Sequence, residues 1–307
     1  MRKVYTIGET VLDILFKGKQ PFAAKAGGSC LNSAVTLGRI GLPVCFISEY
    51  ATDEVGNFID AFLKENNVST EYVYRYSEGK SSLALAFLND DLNASYEFYK
   101  LYPHQRLVID FPAVYQDDII LFGSFYAITP EIRTKLIRFI SEAKQKNAIV
   151  VYDPNFRKQH LDELHTLRPL IEENISYATI VRGSHEDFSL IYGAGNADET
   201  FKAMNEKSRC LLYTASSSGV FLRTDKLLNV FPVKKTQVKS TIGAGDNFNA
   251  GVAYSLYKNN ITYCDLQDLN LDKWRQIVET AVEFATHVCE SYDNYISIEF
   301  AEKYKMK

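Results

Sequence analysis

The chain has 307 residues, 46% of them hydrophobic and 23% charged, the balance of a soluble globular protein with a large core. A net charge of −4 argues against a protein held to nucleic acid by phosphate contacts. No stretch approaches the ~18 apolar residues of a membrane span, so neither nucleic acid nor membrane is an expected partner.

The opening MRKVYTIGETVLDILF starts basic and then apolar, but Glu9 and Asp13 interrupt the run and no small-residue cleavage site follows. VYTIG (4–8) therefore reads as a first buried strand. GGSCLNSAVTLGRIGL follows as a helix behind a glycine pair, with Leu31, Val35 and Leu37 apolar and a Gly-Leu-Pro stop at 41–43. VCFISEY is a second strand, and GNFIDAFLKENNV a helix with Phe58, Phe62 and Leu63 on one side. Residues 71–103 read as a hairpin-like insertion of antiparallel strands. Tyr72, Tyr74 and Tyr76 alternate, and an Asn-Asp-Asp-Leu-Asn turn at 89–93 leads into SYEFYKLY. With no helix of its own, this insertion is expected to be a lid or an interface flap.

Beyond it, DIILFGSF is a strand. PEIRTKLIRFISEAKQKN is a helix with Pro130 at its start and Ile132, Leu136, Ile137 and Ile140 on a face. AIVVYDPN, ATIVRGS and RCLLYTASSSG are strand-to-loop units. Their continuous Ile, Val and Leu predict a parallel sheet buried on both faces, hence a doubly wound α/β fold with ligands at the carboxyl ends of the strands. The five cysteines, Cys30, Cys45, Cys210, Cys264 and Cys289, have no Cys-x-x-Cys spacing and fit reduced thiols in a cytoplasmic protein. The five histidines show no metal spacing.

The candidate chemistry lies where strands end. In STIGAGDNFNAG, the small residues Gly243, Ala244 and Gly245 let a backbone turn sharply against a ligand, and the first helical amides behind them suit a phosphate. Asp246 would repel a resting phosphate but suits a base that takes a proton from an attacking hydroxyl. It equally suits an N-cap on a helix whose core stripe is Phe248, Val252 and Leu256. Gly27 and Gly28 permit close approach. Asn32, in the first turn of its helix, either bonds sugar hydroxyls or caps locally. In DPNFR, Pro154 keeps Asp153 extended and Arg157 can reach an anion or form a surface ion pair. YTASSSG either holds a nucleotide or is a polar turn.

Taken in order, IGETVLD, GGSCLNSAVTLGRIG, DEVG, FGSF, DPNFR, VRGSHED and STIGAGDNFNAG resemble the ribokinase/PfkB family of carbohydrate kinases over nearly the full length, its fructokinase branch above all. The resemblance implies a single ribokinase-like domain over 1–307, a mostly parallel sheet flanked by helices with a small antiparallel β lid formed by about 10–25 and 71–103. It implies transfer of the γ-phosphoryl group of ATP, with Mg2+, to a monosaccharide hydroxyl, the sugar being fructose-like. Asp246 would be the base, and Gly243, Ala244 and Gly245 the anion hole. Asp13, Gly27, Gly28, Asn32 and Arg157 would face the sugar. Ser184, Thr214, Ser216 and Gly219 would face the nucleotide with the glycine turn, and Asp187 would help organise Mg2+ indirectly. The lid would make a homodimer contact. Ribose, 2-keto-3-deoxygluconate, a sugar phosphate or a nucleoside are alternative acceptors, Arg75, Lys80, Lys100 and Arg106 being cations in or near the lid. A non-catalytic sugar- or nucleotide-binding relative is a further alternative. Three departures stand out. Ser240-Thr241-Ile242 replaces the usual Asp-Thr-Thr, which removes the aspartate of the family's monovalent-cation site. Ser216 replaces a common glycine. HVCESYDN replaces the usual Gly-Ala pattern near the end.

Overall fold

Short, wholly apolar runs become strands because each is covered on both faces. The structure is a computed structural model and describes residues 1–18, 20–88, 94–204, 207–234 and 236–306. The first third holds β1 (Val4–Ile7), β2 (Val11–Lys17), β3 (Gln20–Gly27), α1 (Ser29–Arg39), β4 (Val44–Ala51), α2 (Glu54–Glu65), β5 (Ser69–Tyr76), β6 (Lys80–Leu88) and β7 (Ala94–Leu101). The middle holds β8 (Ile119–Gly123), α3 (Pro130–Gln145), β9 (Ile149–Asp153), α4 (Leu164–Tyr177), β10 (Ile180–Ser184), α5 (His185–Tyr192) and α6 (Ala197–Ala203). The last third holds β11 (Cys210–Thr214), β12 (Val220–Thr224), β13 (Leu228–Phe231), α7 (Ala244–Lys258), α8 (Tyr263–Leu266), α9 (Leu271–Cys289) and α10 (Ile298–Glu302).

Nine strands form one sheet in the order β13-β12-β11-β10-β9-β8-β1-β4-β5, parallel except at β12 and β13. Every residue of β1, β4, β8 and β9 is buried, as expected where helices cover both faces. One apolar layer joins α1, α2, α7 and α9 to the sheet; the other joins α3 to α6. The chain runs outward from β1 to β4 and β5, then returns to the other side of β1 at β8. That reversal opens a crevice at the carboxyl ends of the strands.

The second sheet, β3-β2-β6-β7, is the lid. It is mixed rather than purely antiparallel, because β2 runs parallel to β6. The expected lid boundary at residue 71 is also corrected. β5 pairs in parallel with β4 and belongs to the main sheet. An edge strand is covered on one face only, so its alternating tyrosines read like a hairpin strand. The turn expected at 89–93 lies outside the described residues. A second correction concerns α2, where Ile59 and Leu63 are buried and Phe58 is 48% exposed. At the lid's return, Arg106 lies 3.3 Å over the Tyr102 ring and donates Nε to Glu49 Oε1 of β4 at 2.7 Å, fastening lid to body.

Candidate active site

The site begins with a glycine that no other residue replaces comfortably. Gly243 adopts φ 79°, and a Cβ there would stand 2.5 Å from the Asn294 carbonyl. The left-handed turn brings the chain onto α7 with Gly243 at its N-cap. The Ala244 amide donates to Thr241 O at 3.2 Å. The amides of Gly243 and Gly245 have no backbone partner among the described residues, and they sit at the positive end of a helix of 15 residues.

Asp246 does not cap α7. It is the third residue of the helix, and its side chain crosses to α1. Ser29 donates its hydroxyl to Oδ1 at 2.7 Å, and Asn32 donates Nδ2 to Oδ2 at 2.8 Å. Ser33 donates to the Asp246 backbone carbonyl at 2.8 Å. Positions 29, 32 and 33 share one face of a helix, so α1 presents a three-point seat for the acid. Burial raises the Asp246 carboxyl above the ordinary carboxylate range; the Ser29 and Asn32 bonds and the Arg157 charge pull the other way. Local capping by Asn32 is likewise excluded by this geometry. Its Oδ1 is buried and has no partner among the described residues, an acceptor aimed at something the protein does not supply.

Asp13 of β2 approaches from the lid. A Cβ on Gly27 would fall 2.1 Å from Asp13 Oδ2, and a Cβ on Gly28, whose φ is 130°, would fall 2.3 Å from Glu9 O. The glycine pair is the space that lets the carboxylate of Asp13 and the backbone of Glu9 lie against the start of α1. Burial, with the charge of Glu9 added, pushes the Asp13 carboxyl up to about 7. Lys100 of β7 donates to Glu9 Oε2 at 2.8 Å, closing the lid edge over the same cradle. Arg157 follows the β9 exit and is solvent-exposed.

The nucleotide-loop candidates come next along the sheet edge. Ser216 has φ 46° and Gly219 φ 112°, and Ala215 N donates to Gly219 O at 2.9 Å, so the loop is a tight turn. The Thr214 hydroxyl turns inward, accepting from Arg182 Nη2 at 2.8 Å and donating to Gly183 O at 3.3 Å. Ser184 and Asp187 form a reciprocal capping box on α5, with Asp187 Oδ2 2.7 Å from Ser184 N. Burial raises the Asp187 carboxyl, and the Asp153 charge raises it further. A committed, buried carboxylate fits an indirect part around a hydrated ion held by phosphates, not direct caging. Among the described residues no three metal-type side chains gather. An open cavity of about 480 Å³ lies on the loop's other flank, lined by His185, Ser189, Asn196, Tyr213, Ser216 and Phe221. It does not include the glycine turn, so the chemistry sits elsewhere. Ser240 accepts from Ile242 N at 3.2 Å and closes a local turn.

The strand ends thus bring Asp13, Gly27, Gly28, Asn32 and Asp246 together, with the glycine turn beside them. Ser29, Ser33 and Asn249 are absent from the sequence-based set, and Glu9 and Arg182 at strand ends and Lys100 among the lid cations carried no site role in it. The 29/32/33 helical spacing could have indicated the first two; the others depend on contacts between distant segments.

The family model described as pfkB family carbohydrate kinase matches residues 1–299. A fructokinase from Rhizobium leguminosarum bv. trifolii is 26% identical over 261 residues, covering 83% of this chain and 79% of its own. Among solved structures, a fructokinase double mutant from Vibrio cholerae O395, in a form with fructose, ADP and potassium ion bound, has a TM-score of 0.85 at 18% identity, covering 100% of this chain and 99% of its own. The aminoimidazole riboside kinase of Salmonella enterica, complexed with aminoimidazole riboside and an ATP analogue, gives 0.82 at 17% identity, with 99% of each chain covered. At these identities the structural likenesses concern the fold.

Proposed function

The chain belongs to the pfkB family of carbohydrate kinases, a phosphotransferase with an alcohol group as acceptor, and on that premise we propose that it moves the γ-phosphoryl group of ATP to a hydroxyl of a neutral, fructose-like monosaccharide. The observation that carries this reading is the seat of Asp246. Its carboxylate is held by the same first turn of α1 that leaves Asn32 Oδ1 without a partner. A sugar hydroxyl placed there meets an acceptor on one side and a base on the other.

In this mechanism Asp13 accepts from paired sugar hydroxyls, and Gly27 and Gly28 let the ring lie close to the backbone. Asn32 fixes a further hydroxyl, and Arg157 faces the phosphoryl side. Asp246 takes the proton of the attacking hydroxyl as the oxygen moves in line toward the γ-phosphorus. The open amides of Gly243 and Gly245, with the dipole of α7 behind them, stabilise charge developing on the transferred group. Ser184, Thr214, Ser216 and Gly219 frame the nucleotide, and Asp187 secures the start of α5 beside it. Mg2+, when bound with the nucleotide, supplies neutralisation of phosphate charge. The lid excludes water, which otherwise competes as acceptor.

The lid cations favour a neutral acceptor. Lys100 is paired with Glu9, Arg106 with Glu49, and Arg75 lies near Asp60 while donating to Asn57. A sugar phosphate would have to draw one of these three away from its carboxylate or be met by Lys80, which forms no ion pair among the described residues. The exposed outer side of the lid, including Phe22, Phe87 and Leu101, supports a homodimer made through the lid. No helix among the described residues is long and apolar enough to cross a membrane.

The decisive experiment is ATP turnover across fructose, ribose, 2-keto-3-deoxygluconate, fructose 6-phosphate and a nucleoside, with Asp246→Asn alongside. Fructose is expected to give the highest kcat/KM, and the variant to lose about a thousandfold in kcat with little change in sugar affinity. Full turnover by Asp246→Asn would remove the base assignment.

A further inference from the structure

The residue that ties the site together stands at a strand end, beside Gly183 and Ser184, where the sequence offers it no role. Arg182, in β10, is 8% exposed. Its Nη1 donates to Asp153 Oδ2 at 2.8 Å, and its Nη2 to Thr214 Oγ1 at 2.8 Å. The guanidinium carbon lies 5.4 Å from the centre of the Phe248 ring of α7. A Cβ added to Gly245 would stand 2.6 Å from Arg182 Nη1, so the glycine turn rests directly on the guanidinium. Asn249, also in α7, donates Nδ2 to the same Asp153 oxygen at 2.7 Å. One planar cation therefore touches the end of β9, the first residue of the nucleotide loop and the turn that opens α7.

Resting on the sugar-kinase reading above, we propose that Arg182 is a positioning residue for phosphoryl transfer: it clamps the 214–219 loop to the 243–246 turn, so that the nucleotide-facing groups of both are fixed in one frame before ATP arrives. A guanidinium suits this part because its donors are coplanar and fixed in direction, whereas an ammonium is a point charge on a flexible stem. The guanidinium charge is balanced by Asp153 beneath the turn, so the clamp acts by holding position rather than by supplying free charge. The absence of a Cβ at Gly245 follows from the same arrangement, since a methyl there must displace a group held from two sides. The buried Arg182 Nε and Asn249 Oδ1 have no partner among the described residues, which places spare hydrogen-bonding capacity in the same layer.

The test measures ATP and fructose binding separately by calorimetry, with ATP turnover on fructose as a parallel readout. Absence of fructose-dependent turnover in the wild type would sink the sugar-kinase reading, while nucleotide binding still tests the clamp. Arg182→Lys is expected to weaken ATP binding about tenfold and to leave fructose binding within twofold. Thr214→Val, which severs the clamp from its other end, is expected to weaken ATP binding about fivefold with the same selectivity. The double variant should be no worse than the more damaged single one, because both remove one connection. ATP affinity within twofold of wild type in Arg182→Lys, a parallel loss of fructose affinity, or additive losses in the double variant would each overturn the proposal. Should Arg182→Lys fail to fold, Thr214→Val and Gly245→Ala carry the same comparison. Gly245→Ala pushes on the guanidinium from above and should reproduce the ATP-selective loss; an effect on fructose alone would count against the clamp.

Discussion

Asp13, proposed to bind the sugar, is held in place at the expense of stability. Its carboxyl is pushed up to about 7 by burial and by Glu9, so at pH 8 the fold holds a charge it disfavours. The sign follows from the raised value. The folded state binds the extra proton between about 4 and 7, so the destabilisation is complete above that window and fades as pH falls through it. Asp13→Asn should therefore raise the melting temperature by roughly 2–4 °C at pH 8 and by less at pH 5, while reducing kcat/KM for the sugar at least a hundredfold. In the wild type, kcat/KM for the sugar should fall about tenfold per pH unit below about 7, as the carboxylate is lost. Gly27→Ala should mimic the kinetic loss, because its methyl occupies the place of Asp13 Oδ2; unchanged sugar affinity in that variant would separate the two residues. Asp246 and Asn32 were candidates in the sequence because each stands behind closely spaced glycines, with helix capping an open alternative for both until the contacts across α1 and α7 were seen. Arg182 stood at a strand end, but its role was not legible, since its three contacts come from segments 29, 32 and 63 positions away.

Among elements, the inner parallel strands β1, β4, β8, β9, β10 and β11 were the easiest to read, because burial on both faces leaves an unbroken apolar run, whereas edge strand β5 was misread and β12 and β13 went unread. The pairing of the lid was harder. β2 and β6 run parallel with partner residues 71 positions apart in sequence, and no local pattern announces such a partner. The lid edge is held to the body by the Lys100–Glu9 pair, whose side chains are 32% and 22% exposed. A pair at that exposure is worth roughly 1 kcal/mol at most. Lys100→Met should raise KM for the sugar up to about fivefold with kcat nearly unchanged, and the difference from wild type should shrink in high salt, as read from initial rates. A large fall in kcat would instead place Lys100 at the reacting atoms.

At the scale of the whole molecule, the lid carries two unlike faces. Asp13, Ala84 and Ala86 alternate with Leu12, Leu83, Leu85 and Phe87 along paired strands, so one face looks into the site and the other is apolar. Phe16 and Phe87 stack at 5.1 Å on that second face, and Phe87 is 39% exposed. An uncovered apolar sheet face of this kind marks an interaction surface. Phe87→Asp should convert a dimer to monomers in sedimentation velocity and weaken sugar binding through a looser lid; a wild-type monomer at micromolar concentration would remove the homodimer proposal.

The seat of Asp246 also sets a schedule for the newborn chain. Ser29 and Asp246 are 217 positions apart, and a ribosome adding about 5–20 residues per second needs roughly 10–40 seconds to cross that gap. Throughout that interval the nascent polypeptide carries the α1 residues and lacks Asp246, so under the proposed mechanism no copy translated short of Asp246 would turn over ATP. Of the two sides of that seat, the one synthesised last is the one the proposed mechanism makes essential.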